Sequence, residues 1–331
     1  MNEVFLKRIE QMLGAQQTQQ YVQTLSQPVY RGLRVNTLKI GVDQLRRQLD
    51  LPLTPSPFAP EGLIAASSCP PLGNTIEHRQ GLFYLQEPSA SSAVTVLDPQ
   101  PGEWVLDLCA APGGKSTQIA ARLNHEGYLI SNEIDPARAR ILLSNCERLG
   151  VGEATLTCAS PDQLCQAVCG WMDKVLVDAP CSGEGMFKKE DQALQDWSVE
   201  HVHACARRQR KILDCAYHAL KQEGILVYST CTYSREENEE VIASFLADHP
   251  DMELLDCAVD FGRPGVELAG FDSSRVRRIW PMDGGEGHFI ARLRRLSANP
   301  AAAKKTLPER PVPAEFSAFL EDQLTEIPPL Y

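Results

Sequence analysis

Two cysteines stand just past apolar runs that read as strands. Asp178-Ala-Pro-Cys-Ser-Gly183 closes one run and Ser229-Thr-Cys-Thr-Tyr-Ser234 another. The carboxyl end of a strand is where open α/β sheets bind their ligands, so Cys181, Cys231 and Asp178 would share one crevice. A thiolate there can add to an electron-poor carbon and split one hard step into two easier ones. Most cysteines are small, inert core residues, and Cys146, Cys158, Cys205, Cys215 and Cys257 are read that way. Two thiols at two strand ends are harder to dismiss, although chemistry alone does not choose between Cys181 and Cys231 as nucleophile. An ordinary thiol, with a pKa of about 8.5, is only a few per cent thiolate at neutral pH. The site must lower that value or remove the proton.

A third strand end carries the segment Val105-Leu-Asp-Leu-Cys-Ala-Ala-Pro-Gly-Gly-Lys-Ser-Thr117. Its small residues let a ligand approach the backbone closely before a helix opens near Lys115. The dinucleotide fingerprint G-x-G-x-x-G is absent. Gly114-Lys115-Ser116 matches the end of a P-loop, but Cys109 occupies the position of its first glycine. An adenosylmethionine-binding strand-turn-helix fits instead. At the next strand end, in Ser131-Asn-Glu-Ile-Asp135, Glu133 would accept hydrogen bonds from two ribose hydroxyls, as the acid after a dinucleotide fingerprint does. Asp135 before Pro136 reads as a helix N-cap.

These turns need a framework. Apolar strands at Trp104–Leu108, Tyr128–Ser131, Thr155–Cys158, Lys174–Val177 and Ile225–Tyr228 alternate with helices at Ser116–Leu123, Pro136–Leu149, Val199–Leu220 and Glu236–Asp248. Such alternation predicts a parallel sheet with helices on both faces. Ser234 and Glu237 read as a capping box that starts the last of these helices, leaving Cys231 on the preceding turn. Upstream, helices at Val4–Leu13 and Val42–Leu49 and a strand at Gly32–Leu38 precede a segment with Pro52, Pro55, Pro57, Pro60, Pro70 and Pro71, read as loops of a small accessory domain. The tail from Ser297 is Pro/Ala-rich, with one amphipathic stretch at Ala314–Leu324.

The 331 residues are 43% hydrophobic and 23% charged, an ordinary globular composition with room for about two domains. No apolar run approaches a membrane span, and the first ten residues lack the core of a secretory signal. Eleven scattered cysteines, with no C-x-x-C and no accompanying histidine cluster, disfavour both a disulfide framework and a metal site. The net charge of −11 argues against nucleic acid at first sight. Its distribution softens that, because residues 1–85 carry eight Lys/Arg against six Asp/Glu. Local basic clusters persist at Lys188-Lys189, Arg207-Arg208 with Arg210-Lys211, and Arg275 with Arg277-Arg278, each read first as a solvated face and second as a phosphate track.

Asp107–Thr117, Asp178–Gly183, Ser229–Ser234 and Gly285-Glu-Gly-His-Phe289 together resemble the Nop/Sun family of RNA cytosine-C5 methyltransferases, and within it the bacterial RsmF-type rRNA enzymes. Arg34-Val-Asn-Thr-Leu-Lys39 and Tyr84-Leu-Gln-Glu-Pro-Ser-Ala90 add to the match, which spans roughly residues 25–296. The resemblance implies an α/β fold: a Rossmann-like, seven-stranded methyltransferase domain at 86–296, preceded by a small α+β RNA-binding domain at 1–85. The tail at 297–331 would be the start of a C-terminal RNA-binding domain that such proteins carry, in a trimmed or naturally abbreviated form.

It also implies roles. S-adenosyl-L-methionine would be wrapped by Cys109, Ala110, Ala111, Pro112, Gly113, Gly114 and Lys115, held at its ribose by Glu133 and flanked by Arg138. Asp178 would lie between cofactor and target base, Cys231 would be the nucleophile, and Cys181 would help release product. Where many relatives carry an acid for the adenine, this chain has Ser160 and Asp162. The partner would be RNA, foremost rRNA or a ribosomal subunit, in the cytoplasm, with no membrane and no metal. The same chemistry on tRNA and a non-catalytic RNA-binding assembly factor are the alternatives, and the paired thiols speak against the second. The target carbon of a cytosine in a helix lies inside the stack, so the base must be flipped out or unpaired. Phe187 with Lys188-Lys189 could form the stacking lip, or an exposed helix start; His288 reads equally as lining the site or as structural.

Overall fold

The computed structural model describes residues 2–189, 195–299 and 302. Helix α1 (Glu3–Leu25) starts where the Asn2 side chain accepts from the Val4 amide, and it breaks at Gly14, whose φ is 73°. The helix expected at Val4–Leu13 thus continues past the glycine through a Gln-rich run with no apolar periodicity to betray it. Phe5, Ile9 and Tyr21 from its two arms pack against Phe187, Trp197, Tyr233 and Trp280. This first helix therefore lies on the part of the chain that follows residue 180.

The rest of the leading segment folds around an antiparallel sheet with order β2-β3-β1-β4: β1 (Arg31–Val35), β2 (Leu53–Pro55), β3 (Gly62–Ala65) and β4 (Phe83–Leu85). Helix α2 (Val42–Leu49) covers it, and Leu33, Val35, Leu45, Leu63 and Phe83 make its core. A short α3 (Ile76–Arg79) leads into β4.

The large sheet holds β5 (Trp104–Asp107), β6 (Tyr128–Asn132), β7 (Ala154–Thr157), β8 (Met172–Asp178), β9 (Leu220–Thr230), β10 (Met252–Leu255), β11 (Arg277–Ile279) and β12 (His288–Arg295). Seven strands run in the order β10-β12-β9-β8-β5-β6-β7, and β11 pairs with β12 at the side. From β7 to β9 every pair is parallel; β12 runs antiparallel to both β9 and β10. The chain leaves β5 toward β6 on one side and returns through β8 on the other, so a ligand crevice opens at the carboxyl ends of β5 and β8.

Helices cover both faces, because parallel strands need crossovers. Val94, Leu97, Ile119 and Leu123, from α4 (Ser92–Leu97) and α5 (Gly114–Leu123), bury one face. Leu164, Ala206, Leu213, Ala216, Val241 and Phe245, from α7 (Pro161–Ala167), α8 (Val199–Ala219) and α9 (Glu239–Asp248), bury the other. Helix α6 (Pro136–Leu149) begins and ends where the sequence predicts. Beyond residue 296 only 297–299 and 302 are described, so Ala314–Leu324 lies outside the described residues.

Among the described residues no helix is long and apolar enough to cross a membrane, and no group of three His, Cys, Asp or Glu side chains could hold a metal ion.

Candidate active site

The β5–α5 turn is held from three sides. The Ala110 amide donates to the Asn132 carbonyl at 2.8 Å. The Asn132 side chain donates to Leu108 and Ala159 carbonyls and accepts from Thr157 and from the Ala159 amide. One asparagine thus ties together the ends of β5, β6 and β7. Gly113 has φ 111°, and a Cβ there would lie 3.1 Å from Leu142, so both backbone and packing demand glycine. From the leading sheet, the buried Arg34 donates to Thr117 Oγ1 at 2.7 Å and to the Gly114 carbonyl at 3.2 Å. Asn36 Nδ2 reaches the Leu149 carbonyl at 2.7 Å and Lys39 Nζ that of Arg148 at 2.9 Å. The 34–39 motif therefore docks the leading domain onto α5 and α6.

Glu133 is buried, accepts from the Asp135 amide at 3.0 Å and pairs with Arg138 Nη1 at 3.2 Å. Arg138 Nη2 also donates to the Ala111 carbonyl at 2.9 Å, joining the β6 acid to the β5 turn. Asp135 caps α6, accepting from the Ala137 and Arg138 amides as expected. Asp107, which sequence reasoning passed over, is buried with Oδ2 on Ser116 Oγ at 2.6 Å and Oδ1 without a partner. Burial, with Asp178 nearby, pushes its carboxyl up to about 7 against the Ser116 hydrogen bond. Cys109 lies in the same turn, and burial followed by Asp107 and Asp178 holds its thiol well above the ordinary range.

The sulfurs of Cys181 and Cys231 are 3.3 Å apart, within hydrogen-bonding reach, and both cysteines are free and half-buried. The Cys231 contact and then burial hold the Cys181 thiol well above its ordinary value, so Cys181 keeps its proton. Beside them Lys115 Nζ lies 2.8 Å from Asp178 Oδ2, and Ser229 Oγ donates to Asp178 Oδ1 at 2.7 Å. Burial opposes ionisation of Asp178, but the Lys115 charge together with these hydrogen bonds outweighs it and holds the carboxyl low. The Lys115 ammonium is thus directed at Asp178, and Cys231 also acts on it electrostatically. His288 is buried, with Nδ1 3.5 Å from Ser89 Oγ and Nε2 unpartnered; burial and Lys115 lower it to about 3, so its ring is neutral.

Two buried glutamates bind the cysteine turns together, and neither stood out in the sequence as doing so. Glu184 accepts from Trp197 Nε1, Thr232 Oγ1, the Tyr233 amide and Ser234 Oγ at 2.6–2.9 Å. Glu237 accepts from the Ser182 amide and hydroxyl and from Gln209 Nε2 at 2.8 Å, with Thr232 Oγ1 3.4 Å away. Gly185 N donates to the Cys231 carbonyl at 2.9 Å, and a Cβ on Gly185 would meet that same oxygen at 2.9 Å. The expected Ser234–Glu237 capping box does not form: both side chains turn inward to these bonds, and α9 starts only at Glu239.

Burial raises Glu237 from 4.5 to about 7, against its hydrogen bonds from Ser182 and Gln209. A carboxyl raised on folding favours the folded state below about pH 4.5, and that contribution is lost progressively as pH climbs to about 7. The difference is about 3 kcal/mol at 1.36 kcal/mol per unit. In Glu237→Gln the amide oxygen can take the Ser182 amide and Gln209, while the amide nitrogen meets two hydroxyls that can turn to accept. Denaturant titrations from pH 5 to 8 should show a flatter profile for Glu237→Gln than for the parent, with its larger relative gain at pH 8. Parallel profiles would contradict this.

Other expectations change. Phe187 is buried against Phe5 at 5.0 Å between ring centroids and offers no stacking lip. Lys188 is turned inward to Glu286 at 3.5 Å; Lys189 is exposed. Ser160 caps α7, and Asp162 is exposed and accepts from Gln166 Nε2. Cys158 is exposed and Cys215 half-buried, whereas Cys146, Cys205 and Cys257 are buried. Arg278 belongs to neither a solvated face nor a phosphate track, because it is buried on Glu239.

The model of the 16S rRNA methyltransferase RsmB/F family matches residues 94–294, and that of the N-terminal domain of 16S rRNA methyltransferase RsmF matches residues 1–88. Ribosomal RNA small subunit methyltransferase F of Shigella dysenteriae is 40% identical over 291 residues, and its Escherichia coli counterpart 40% identical over 290. In each case 85% of this chain and 60% of the relative are covered, so the chain spans about 60% of the length of these curated relatives. A methyltransferase homologue from Pyrococcus horikoshii has 33% identity and a TM-score of 0.79, covering 89% of this chain and 96% of that one. NSun6 from the same organism, at 24% identity and TM-score 0.80 over 89% and 98% of the two chains, shares the fold.

Proposed function

The chain belongs to the RsmB/F family of 16S rRNA methyltransferases, and from that premise we propose that it transfers a methyl group from S-adenosyl-L-methionine to carbon 5 of a cytosine in rRNA, through a transient bond between Cys231 and carbon 6. The observation that carries this reading is the 3.3 Å approach of two free thiols at strand ends beside the Lys115–Asp178 pair. A small-molecule or protein methyltransferase has no use for that pair, and neither has a binding protein.

The residues present suit the cofactor. Cys109 to Gly114 form a tight turn of small residues, Asp107 Oδ1 is a buried acceptor without a partner, and Glu133 stands at the neighbouring strand end. Ile134, 61% exposed directly after Glu133, offers an apolar surface to a flat adenine, a more suitable one than Ser160 or Asp162. When bound, S-adenosylmethionine supplies the electrophilic methyl group.

Carbon 5 of cytosine is a poor nucleophile until a thiolate at carbon 6 makes it enamine-like. Cys231 is the thiol assigned to that addition, and Cys181 keeps its proton and hydrogen-bonds the Cys231 sulfur. Addition of the thiolate develops negative charge on the ring nitrogen; Asp178, placed beside that nitrogen, holds the Lys115 ammonium there, and the cation offsets the charge or passes a proton to the nitrogen through the carboxylate. After methylation a base takes the proton from carbon 5 and the bond to Cys231 breaks. The Cys181 S–H then receives the departing thiolate.

Incubation of the full chain with tritiated S-adenosylmethionine and either 16S rRNA or small ribosomal subunits should place the label in 5-methylcytidine after nuclease digestion. Label in another nucleoside, or label that goes to tRNA and not to rRNA when both are offered, would overturn the assignment. Cys181→Ala should accumulate a covalent protein–RNA adduct that survives denaturing electrophoresis, because the leaving thiolate loses its hydrogen-bond donor. Absence of adduct would refute the division of labour between the thiols. Action on ribosomal RNA also suggests the cytoplasm as its place of work.

A further inference from the structure

A cavity of about 400 Å³ opens where the leading domain meets the catalytic one. That volume falls in the ~300–1,000 Å³ range of pockets that enclose a small ligand. Its walls include Tyr30, Leu72, Leu85, Gln86, Glu87 and Lys189, and nothing in the chemistry above uses it. Tyr30 is fixed in advance: its amide donates to Glu286 Oε1 at 2.9 Å, its hydroxyl to the Pro281 carbonyl at 3.4 Å, and Lys188 Nζ lies 5.6 Å from its ring. Leu85 is 37% exposed, so the pocket pairs an aromatic ring with an uncovered apolar surface. Gln86 Nε2 is buried without a hydrogen-bond partner. Glu87 is committed to the Glu286 and Ser89 amides, and the Arg31 guanidinium to the carbonyls of Cys69 and Pro70. The exposed Lys189 is left as the cation at the rim.

The cavity is linked to the reacting centre through a short chain of side chains. Ser89 links Glu87 to His288, and His288 feels Lys115, Asp178 and Lys189. On its other side Gln86 Oε1 stands 3.1 Å from where a Cβ on Gly114 would sit, in the cofactor turn. A ring, an apolar patch, an amide lacking a partner and one cation make a set that suits a nucleobase with its phosphate: stacking is worth about one to two decades of affinity and tolerates any base, while cations track the backbone.

We propose that this cavity holds the nucleotide adjacent to the target cytosine on the same RNA strand, its base stacked on Tyr30, an acceptor on its edge facing Gln86 and its phosphate at Lys189. The proposal rests on the RNA-methylating reading above. It makes the junction of the two domains part of the substrate site and turns the leading domain from a tether into a reader of the neighbouring base.

The test uses the full chain and RNA oligonucleotides spanning the methylated cytosine, with an abasic residue placed on its 5′ or its 3′ side. For the parent protein, one of the two abasic RNAs should bind about 10-fold more weakly than intact RNA. Tyr30→Leu should lose about the same affinity for intact RNA and show no further loss with that abasic RNA, as coupled partners do, while its affinity for S-adenosylmethionine stays unchanged. Lys189→Ala, an exposed side chain whose removal spares the fold, should lower the slope of log affinity against log salt by about 0.7, the share of one phosphate on a single strand. Independent, additive effects of Tyr30→Leu and both abasic RNAs, or an unchanged salt slope for Lys189→Ala, would overturn the proposal. A parent protein that labels no RNA would instead bring down the functional reading beneath it.

Discussion

Cys231→Ala is expected to slow methyl transfer to RNA on the order of 10⁴-fold, about 5.4 kcal/mol at 1.36 kcal/mol per decade, while S-adenosylmethionine binds as before. The cofactor turn and Glu133 are built from β5, β6 and α6, and none of their hydrogen bonds involves residue 231. The loss should therefore fall on the chemical step, because without a sulfur to add at carbon 6 the ring keeps its aromatic character and carbon 5 does not attack. Single-turnover transfer of a tritiated methyl group measures the rate, and calorimetry measures cofactor affinity. A sharper form combines the two thiols: Cys231→Ala placed in the Cys181→Ala background should erase the covalent adduct expected of the latter. Turnover of the Cys231→Ala single variant within tenfold of the parent would move the nucleophile to Cys181, and an adduct that persists in the double variant would move it to a residue other than either thiol.

The turns assigned to the candidate site are legible because each is a local pattern. Small residues after an apolar strand, an acid at the next strand end and a cysteine two residues past another are set by a few neighbouring positions. Asp135 before Pro136 announced the start of α6 for the same reason. The central sheet follows from alternation of strands and helices, and the resemblance supplied its full strand count, which the seven-strand path matches.

What stayed hidden depends on partners far along the chain. Glu237 stands three residues after Ser234, and local spacing favours a capping box; Ser182 and Gln209, 55 and 28 residues away, capture it instead. Glu184 looks like any polar turn residue until the fold brings Trp197 and residues 232–234 around it. Phe187 beside two lysines suggested an exposed lip, but α1 arrives from the other end of the chain to cover it. The Arg34–Lys39 motif holds no hint that it fastens onto α5 and α6, because apart from Thr117 Oγ1 its acceptors there are carbonyls, which every residue has. Sequence spacing therefore picks out groups that the fold brings together, and long-range pairing determines how tightly they are held.

Arg278→Met should cost about 3–5 kcal/mol of stability, the usual penalty for removing one partner of a buried ion pair. Arg278 and Glu239 are 2% and 0% exposed, with nitrogen–oxygen contacts at 2.7 and 2.5 Å. The remaining arginine nitrogen donates to the Tyr233 carbonyl at 2.8 Å, two residues beyond Cys231, and Glu239 also accepts from the Val266 amide at 2.8 Å. The pair thus joins β11, α9 and the Cys231 turn. Methionine fills much of the volume but leaves the Glu239 carboxylate charged and buried, with only the Val266 amide for company. Adding Glu239→Gln removes that charge and keeps an acceptor for Val266, so the double variant should recover a large part of the loss. Because the Tyr233 carbonyl also loses its donor, the stability recovered by the second change should not be matched in kcat: the Cys231 turn stays looser and the reacting sulfur less well placed. Urea unfolding at pH 7 for the parent, single and double variants, followed by single-turnover rates, separates the two effects. A single-variant loss below about 1 kcal/mol would put the pair among those whose desolvation cancels their attraction, and full recovery of kcat in the double variant would show that Arg278 does not hold the turn.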